Sequence, residues 1–113
     1  SENIWVGFWI DGLVKMSFDK MKKTYTTKNY QFSKDDPKSL SNNYVRDILE
    51  DQNKNIWVGT IGGLNKVITN ENGTISFDHY LNDINQKNSL SNNYILDLFE
   101  TKNGTIYIGT YGG

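Results

Sequence analysis

Cysteine is absent from this chain of 113 residues, and histidine occurs only once, at His79. The lack of cysteine excludes disulfide bonds and thiolate metal ligands, and a single histidine excludes a metal site built from several imidazoles within this chain. A net charge of −1 offers no basis for binding nucleic acid or an anionic membrane surface. No apolar run approaches the roughly 18 residues that a membrane-spanning helix needs, so we expect no membrane contact within the chain.

Two blocks of sequence recur at a nearly constant spacing. Ile-Trp-Val-Gly at residues 4–7 returns unchanged at 56–59 and as Ile-Tyr-Ile-Gly at 106–109. A second block, residues 39–47, returns as residues 89–97, an offset of 50. Self-similarity with a period of about 50 residues indicates a repeat architecture. The chain also lacks an initiator methionine and a secretion signal, so we expect a piece excised from a longer protein.

Within one period the sequence predicts four short strands separated by turns. Residues 56–60 are apolar on both faces, as expected of a strand covered by a layer on each side. Gly62-Gly63 and Asn72-Gly73 predict tight turns, because glycine adopts positive φ without strain. The predicted strands over the chain are 4–8, 44–50, 56–60, 64–69, 75–81, 94–100 and 106–110.

Strand 44–50 alternates, which predicts Val45, Asp47 and Leu49 on one face. Asp47 returns as Asp97 in the third repeat, next to Ile95 and Phe99. A catalytic pair of carboxylates needs environments that push the two pKa values apart, whereas equivalent positions in successive repeats provide similar ones. We therefore favour structural carboxylates that accept hydrogen bonds between repeats, with a ring of carboxylates lining a channel as the alternative.

Four antiparallel strands per repeat, with apolar residues on both faces of the inner strands, predict an all-β fold of β-propeller blades. Residues 1–113 are interpreted as a propeller fragment of about two blades, each a four-stranded antiparallel sheet. They comprise a partial blade at 4–33, a complete blade at 44–81 and a partial blade at 94–113. Because one blade cannot bury both faces, we expect self-association or packing against neighbouring blades.

The string Ser-Leu-Ser-Asn-Asn-Tyr-Val, followed by a polar turn and Asn-Ile-Trp-Val-Gly-Thr, resembles the two-component regulator propeller repeat. The central copy, residues 39–66, matches nearly throughout. The resemblance implies a non-enzymatic, extracytoplasmic sensor domain, in the periplasm or at the cell surface, with any histidine kinase domain outside this chain. It also implies a carbohydrate or oligosaccharide ligand and no cofactor. The alternatives are a fragment of a propeller lyase of the streptogramin-lyase type and a protein-interaction or adhesion propeller.

Several residues suggest chemistry but have a simpler structural interpretation. Trp5, Trp57 and Tyr107 could form a sugar-stacking platform, but their equivalent mid-strand positions favour a core between blades. Residues 51–55 resemble an oxygen-ligand calcium loop, but Lys54 in its middle favours a polar hairpin turn. His79 is predicted to be a solvated residue of the outermost strand. We predict no catalytic residue and no metal site.

The candidate ligand-binding residues lie in loops that a propeller blade places on one face. The first repeat has one extra residue near Trp9, and deviation from a repeat is where an individual function can lie. An indole suits the apolar face of a sugar, and a carboxylate or amide orients its hydroxyl groups. The alternative is that Trp9 packs locally on a longer hairpin. The predicted ligand-binding residues are Trp9, Asp11, Asn42, Asn43, Asn92 and Asn93.

Overall fold

The computed structural model describes residues 3–112, so the outermost positions of the predicted propeller segment, residues 1, 2 and 113, lie outside the described residues. Residues 3–112 contain strands and turns but no helix, and hence no helix of the length and hydropathy that crosses a membrane. The strands are β1 Asn3–Gly7, β2 Leu13–Asp19, β3 Thr24–Tyr30, β4 Val45–Glu50, β5 Ile56–Thr60, β6 Gly63–Thr69, β7 Ile75–Tyr80, β8 Ile95–Glu100 and β9 Ile106–Thr110.

The strands form three antiparallel sheets that follow the order of the chain. Sheet 1 is β1-β2-β3, sheet 2 is β4-β5-β6-β7 and sheet 3 is β8-β9. The predicted bounds of β5 and β9 are confirmed, and the other predicted strands agree within a residue at each end. Successive strands pair with their neighbours in sequence, which is the meander of a propeller blade. The all-β propeller architecture is therefore confirmed.

Two apolar clusters hold the three sheets together. The first joins sheets 1 and 2 and is built around Leu13, Val45, Val58 and Phe77, whereas the second joins sheets 2 and 3 around Leu64, Ile95 and Leu98. Strand β5 contributes to both, because Val58 is buried in the first cluster and Trp57 packs against the second. The prediction that residues 56–60 lie between two layers is thus confirmed.

The glycine that closes each Ile-Trp-Val-Gly block allows two sheets to approach closely. A Cβ atom placed on Gly59 would lie 2.5 Å from Ile95 Cγ2 and 3.1 Å from Ile95 Cβ. Gly7 meets Val45 in the same way one sheet earlier. A β-branched side chain of the next inner strand therefore occupies the space that any larger residue at this position would need.

A β-bulge corrects the predicted faces of the inner strands. In β4 the register shifts between Val45 and Asp47, which leaves Arg46 as an extra residue opposite β5. As a result Val45 shares the first cluster with Ile48, while Leu49 packs on the second. The prediction that Val45, Asp47 and Leu49 share a face was wrong, because a bulge breaks the two-residue alternation.

The same irregularity lies in β8, between Ile95 and Asp97. Ile95 and Leu98 are buried together, whereas Phe99 is 63% exposed. The predicted grouping of Ile95 with Phe99 was therefore also wrong, for the same physical reason.

Asp47 connects sheets 2 and 3 through backbone hydrogen bonds. Its Oδ2 accepts from the Leu98 amide at 2.8 Å, and its Oδ1 accepts from the Ile48 amide at 2.9 Å. This confirms the structural carboxylate between repeats at this position. The equivalent Asp97 is exposed on β8.

The repeated aromatic residues differ in their packing. Trp5 packs on the first cluster and lies 6.2 Å from the Tyr30 ring, and Trp57 packs on the second and lies 5.6 Å from the Tyr80 ring. Both are half-buried, which supports the predicted core between sheets. Tyr107 is 61% exposed, so its assignment to a core was wrong for the described chain. The reason is that no further sheet covers this face of β9 within residues 3–112.

Residues 51–55 form the predicted polar turn, organised by a buried carboxylate. Asp51 accepts four hydrogen bonds at 2.8 to 3.2 Å, from the amides of Asn53 and Asn55, the Asn55 side chain and the Trp57 indole. Burial alone would raise the pKa of Asp51, but these hydrogen bonds outweigh it and hold the pKa below its ordinary value. Over the described part of the chain, no cluster of three or more acidic, histidine or cysteine side chains is arranged to hold a metal.

His79 lies in the outermost strand β7 and is exposed, as predicted. Its Nε2 lies 2.6 Å from the carbonyl oxygen of Ser39, and the Phe77 amide donates to the Lys38 carbonyl at 2.9 Å. The segment that joins sheets 1 and 2 therefore runs along the outer edge of sheet 2. His79 is thus a contact of this segment, in addition to being a solvated residue.

Candidate ligand-binding surface

The loops at one end of the strands are joined by backbone hydrogen bonds between sheets. Gly12 N donates to the Asn43 carbonyl at 2.9 Å, and Gly63 N donates to the Asn93 carbonyl at 2.7 Å. The Gly63–Asn93 bond between sheets 2 and 3 is therefore equivalent to the Gly12–Asn43 bond between sheets 1 and 2. These contacts place the loops side by side, as expected for this end of a propeller. We call this surface the loop face; it consists of residues 8–12, 42–44, 61–63 and 92–94, together with the adjoining side chains of Arg46 and Tyr111.

A buried polar network holds the central part of the loop face in place. The Ser41 amide donates to Asn65 Oδ1 at 3.0 Å, and Asn65 Nδ2 donates to Ser41 Oγ at 2.9 Å. Thr60 Oγ1 donates to the Gly63 carbonyl at 2.8 Å and lies 3.2 Å from Ser41 Oγ. Asn65 and Thr60 are fully buried, so these bonds replace lost hydration and fix the loop to β5 and β6.

The four asparagines predicted to bind ligand shape the loops through their side-chain oxygens. Oδ1 of Asn42 accepts from the Tyr44 amide at 2.7 Å, and Oδ1 of Asn92 accepts from the Tyr94 amide at 2.8 Å. Asn43 and Asn93 accept from backbone amides of residues 32 and 82, at 2.6 and 2.5 Å respectively. All four are half-buried. Within residues 3–112 their side-chain amide nitrogens donate to no other residue. They therefore remain open as additional hydrogen-bond donors to a ligand that a more exposed side chain binds.

Asp11 lies on the loop face and is exposed. Its backbone carbonyl accepts from the side chains of Asn29 and Gln31 at 3.1 and 3.2 Å. The hairpin that carries Asp11 is closed by a hydrogen bond from Phe8 N to the Gly12 carbonyl at 2.8 Å. The hairpin backbone is therefore held on both sides, while the Asp11 carboxylate remains available to solvent.

Trp9 is the most prominent aromatic group of the loop face. It is 53% exposed, and its ring meets the Tyr44 ring edge-on, with centroids 5.3 Å apart and planes at 89°. The indole thus packs on the start of the next sheet and not beneath its own hairpin. Half of its surface stays accessible, which is compatible with stacking on a ligand ring.

Arg46 connects Trp9 to the third sheet. Its guanidinium lies 5.2 Å from the centre of the Trp9 ring and 6.0 Å from that of Tyr94. The Tyr94 ring lies in turn 5.5 Å from the Tyr111 ring. Side chains from all three sheets therefore form one continuous strip of aromatic rings with a single cation between them.

Sequence reasoning found Trp9 but missed Arg46 and Tyr94. The signal that marked Trp9, a departure from the repeat, also marks Arg46, since the equivalent residue of the third repeat is Leu96. Arg46 is moreover the only arginine of the chain. Of the six predicted residues, Trp9 and Asp11 share one hairpin, which is bonded to Asn43 through Gly12 N. Asn42 adjoins Trp9 through Tyr44, and Asn92 adjoins the strip through Tyr94, with Asn93 next to it in the chain.

A concave surface lies between sheets 2 and 3, away from the strip. This apolar groove has a volume of about 480 Å³, and its lining includes Trp57, Leu64, Tyr80, Leu90 and Ile108. At the interface between sheets 1 and 2 the residue equivalent to Tyr80 is Tyr30. Phe77 of sheet 2 covers it, with ring centroids 5.8 Å apart. Leu40 is fully buried there, whereas its equivalent Leu90 is half-buried.

The chain is similar in fold to solved extracellular domains of Bacteroides thetaiotaomicron. The domain of the proposed hybrid two-component system BT3049 is 24% identical, with a TM-score of 0.70, and the match covers 96% of this chain and 14% of that one. The domain of the proposed one-component system BT4673 is 21% identical, with a TM-score of 0.68, covering 96% and 13%. The chain thus spans about one seventh of the length of these structures. No curated protein matches it.

The family model described as "two component regulator propeller" matches the chain twice, at residues 39–62 and 89–112. Both matches begin at the Ser-Leu-Ser-Asn-Asn block and include the inner two strands of a sheet, β4-β5 and β8-β9. The buried Ser41–Thr60–Asn65 network and the close approach at Gly59 explain why this sequence pattern accompanies this fold. The chain therefore contains two segments, residues 39–62 and 89–112, that match the two-component regulator propeller repeat.

Proposed function

We propose that the chain is part of the ligand-sensing propeller of a two-component signalling protein, located outside the cytoplasm, in the periplasm or at the cell surface. The single observation that carries this proposal is the repeated family match, because the family is named for two-component regulators. The two solved domains with the same fold are extracellular, which supports the location. A kinase domain would then belong to a part of the protein outside this chain.

The proposed ligand is a carbohydrate, bound at the loop face. Trp9 offers a half-exposed indole for the apolar side of a sugar ring, and ligand sites of this kind combine apolar surface with a few polar groups. Asp11 supplies an exposed carboxylate, and the amide nitrogens of Asn42, Asn43, Asn92 and Asn93 supply hydrogen-bond donors at its border. These are the groups that hydroxyl-rich ligands require.

Signalling would act through the packing of the sheets. The loop face joins all three sheets by the strip from Trp9 through Arg46 to Tyr94. A ligand that binds one arrangement of this strip more tightly than another shifts the equilibrium between the two arrangements, and with it the relative position of neighbouring sheets. The difference in affinity sets the size of this shift. Such a change of propeller packing, or of the geometry between two propellers, is the form of signal that we propose reaches the kinase.

The segment is proposed to be non-enzymatic. The two groups that a lyase-like mechanism would draw on, Asp47 and His79, lie in β4 and β7, at opposite edges of sheet 2. Asp47 is engaged by the amides of Ile48 and Leu98, and His79 contacts the Ser39 carbonyl. A general acid and base need to converge on one reacting group, and these two do not.

We also propose that the groove between sheets 2 and 3 packs against a further blade or a second copy of the chain. The support is the first interface, where Phe77 of the neighbouring sheet covers Tyr30 and the same cluster buries Leu40 completely. The groove offers the equivalent surface around Tyr80 and Leu90 uncovered. An aromatic side chain from a neighbouring outer strand would complete it in the same way.

The test of the sensing proposal is binding of a panel of oligosaccharides to the intact protein, measured by calorimetry. We expect Trp9→Ala to weaken binding about tenfold or more, equivalent to about 1.4 kcal/mol, because the stacking surface is lost. Met21→Ala is the matched control, since Met21 is 93% exposed and lies away from the loop face. Unchanged affinity in Trp9→Ala, or no oligosaccharide bound at all, would contradict the proposal.

A further inference from the structure

Arg46 occupies a position that aims its side chain away from the sheet. It is the extra residue of the β-bulge in β4, where the ladder shifts between Val45 and Asp47. Bulges redirect a side chain and are enriched beside functional sites. The same bulge in β8 presents Leu96, which is 37% exposed. The bulge therefore occurs in both repeats, whereas the arginine occurs only in the repeat that contains β4.

Two aromatic rings, from the loop between β1 and β2 and from the residue that precedes β8, contact the guanidinium. Trp9 approaches it from sheet 1 at 5.2 Å and Tyr94 from sheet 3 at 6.0 Å, both within the range of cation–π contacts. An arginine held in this way loses less side-chain entropy when it binds a ligand, because its plane is already oriented. The arrangement thus prepares the guanidinium for an additional partner.

No carboxylate of the described chain is paired with Arg46. The ion pair found in residues 3–112 joins Lys54 and Glu50 at 4.0 Å. The neighbouring carboxylate of Asp47 is turned to the amides of Ile48 and Leu98, and Asp11 makes no ion pair with the guanidinium. Across the same residues the guanidinium N–H groups of Arg46 donate to no protein acceptor, so an exposed fork of donors remains open.

We propose that the loop face binds an acidic oligosaccharide, with its carboxylate or sulfate on the Arg46 guanidinium and its sugar ring on Trp9. The inference rests on the proposed function and specifies the class of sugar. A guanidinium fork matches the paired oxygens of a carboxylate or sulfate, and charge-assisted bonds of this kind are about twice as strong as neutral ones. A neutral sugar would leave this charged donor group unused.

The experiment compares matched pairs of sugars that differ in charge. Oligogalacturonate is paired with its neutral methyl ester, and a sulfated galactan oligosaccharide, which contains no carboxylate, is paired with its neutral desulfated form. Binding to the intact protein is measured by calorimetry. We expect the charged member of one pair to bind at least about tenfold more tightly than its uncharged partner. Which pair shows the preference distinguishes carboxylate from sulfate recognition. The preference should also fall as salt is raised.

Two substitutions assign the preference to Arg46. Arg46→Gln should remove the preference for the charged sugar, and Arg46→Lys should retain only part of it, because an ammonium group lacks the planar fork. Lys102→Gln removes the same charge from the exposed turn between β8 and β9, at the other end of the strands, and should change nothing. Unchanged urea midpoints show that each variant is folded, and a purely structural role of Arg46 would not alter the ratio between charged and neutral sugars.

Three outcomes would overturn the inference. They are equal binding of the charged and neutral members of both pairs, a preference that survives in Arg46→Gln, and no binding of any of the four sugars. If neutral sugars bind, depend on Trp9 and show no preference for charge, the sensing proposal stands and only the acidic ligand class fails. If the whole panel of oligosaccharides fails to bind, both proposals fail.

Discussion

Replacing Asp51 by alanine tests whether a buried carboxylate holds the turn between β4 and β5. Asp51 is only 8% exposed and accepts bonds from Asn53, Asn55 and the Trp57 indole. A hydrogen bond to a charged group contributes about 1.5 to 3 kcal/mol net. The amides of Asn53 and Asn55 lie in a surface turn and regain water, so only the indole bond is counted in full. We expect Asp51→Ala to lower the free energy of unfolding by about 2 to 4 kcal/mol at pH 7.

A double-mutant cycle separates the indole bond from the rest of the turn. Trp57→Phe removes the Nε1 donor but keeps an aromatic ring against the cluster of Leu64 and Leu98. In the Trp57→Phe background, the loss of unfolding free energy caused by Asp51→Ala should be about 1 to 2 kcal/mol smaller than in the wild type. This difference lies within the usual range for groups in contact. Urea denaturation followed by circular dichroism measures both values. The third repeat provides a natural parallel, since Thr101 replaces the aspartate where Tyr107 replaces the tryptophan.

The pH dependence gives an independent check. Because the folded-state pKa of Asp51 lies below its ordinary value, its contribution to stability is present above the unfolded-state pKa of about 3.9 and is lost as the pH falls through the folded-state value. The difference between wild type and Asp51→Ala should therefore be constant near pH 7 and shrink below about pH 4. A difference under about 0.5 kcal/mol at pH 7, or one that does not change down to pH 2, would refute this account.

Two further predictions concern the interfaces between sheets. Gly59→Ala should lower the free energy of unfolding by about 1 to 3 kcal/mol in urea denaturation, because the new methyl group meets Ile95 Cγ2 at 2.5 Å. In an Ile95→Ala background the same substitution should cost less. Full additivity of the two substitutions would contradict the steric explanation. The uncovered groove beside Tyr80 and Leu90 should make the isolated chain associate, so sedimentation should show species larger than a monomer. A stable compact monomer over the micromolar range, equal in size to a Tyr80→Lys variant, would contradict that expectation.

Much of the fold could be predicted because its determinants are local. Glycine and asparagine turns punctuate short apolar strands, and the period of the repeat sets their order. The structural role of Asp47 was also predictable, since its recurrence as Asp97 argued against a catalytic pair. The faces of β4 and β8 could not be predicted in this way, because a bulge depends on how two strands pair and leaves the composition of each strand unchanged.

The candidate site could likewise be predicted from the sequence only in part. Trp9 was found by its departure from the repeat, and Arg46 carries the same kind of signal, as Leu96 stands at its place one repeat later. The sequence does not show which residues surround Arg46, however, because Trp9 lies in the loop between β1 and β2, and Tyr94 directly precedes β8. Their proximity follows only from the stacking of the sheets.

The sequence by itself determined the repeat, the number and position of most strands and the layered character of β5, because these depend on residue patterns over a few neighbours. Tertiary structure alone decided which repeated residues are covered: Trp57 packs on the second cluster, whereas its counterpart Tyr107 is 61% exposed. It also decided that Arg46 is held between two rings without a carboxylate partner in the described chain. Burial and charge pairing depend on what lies across an interface, and residues 50 positions apart along the chain meet only when the sheets pack.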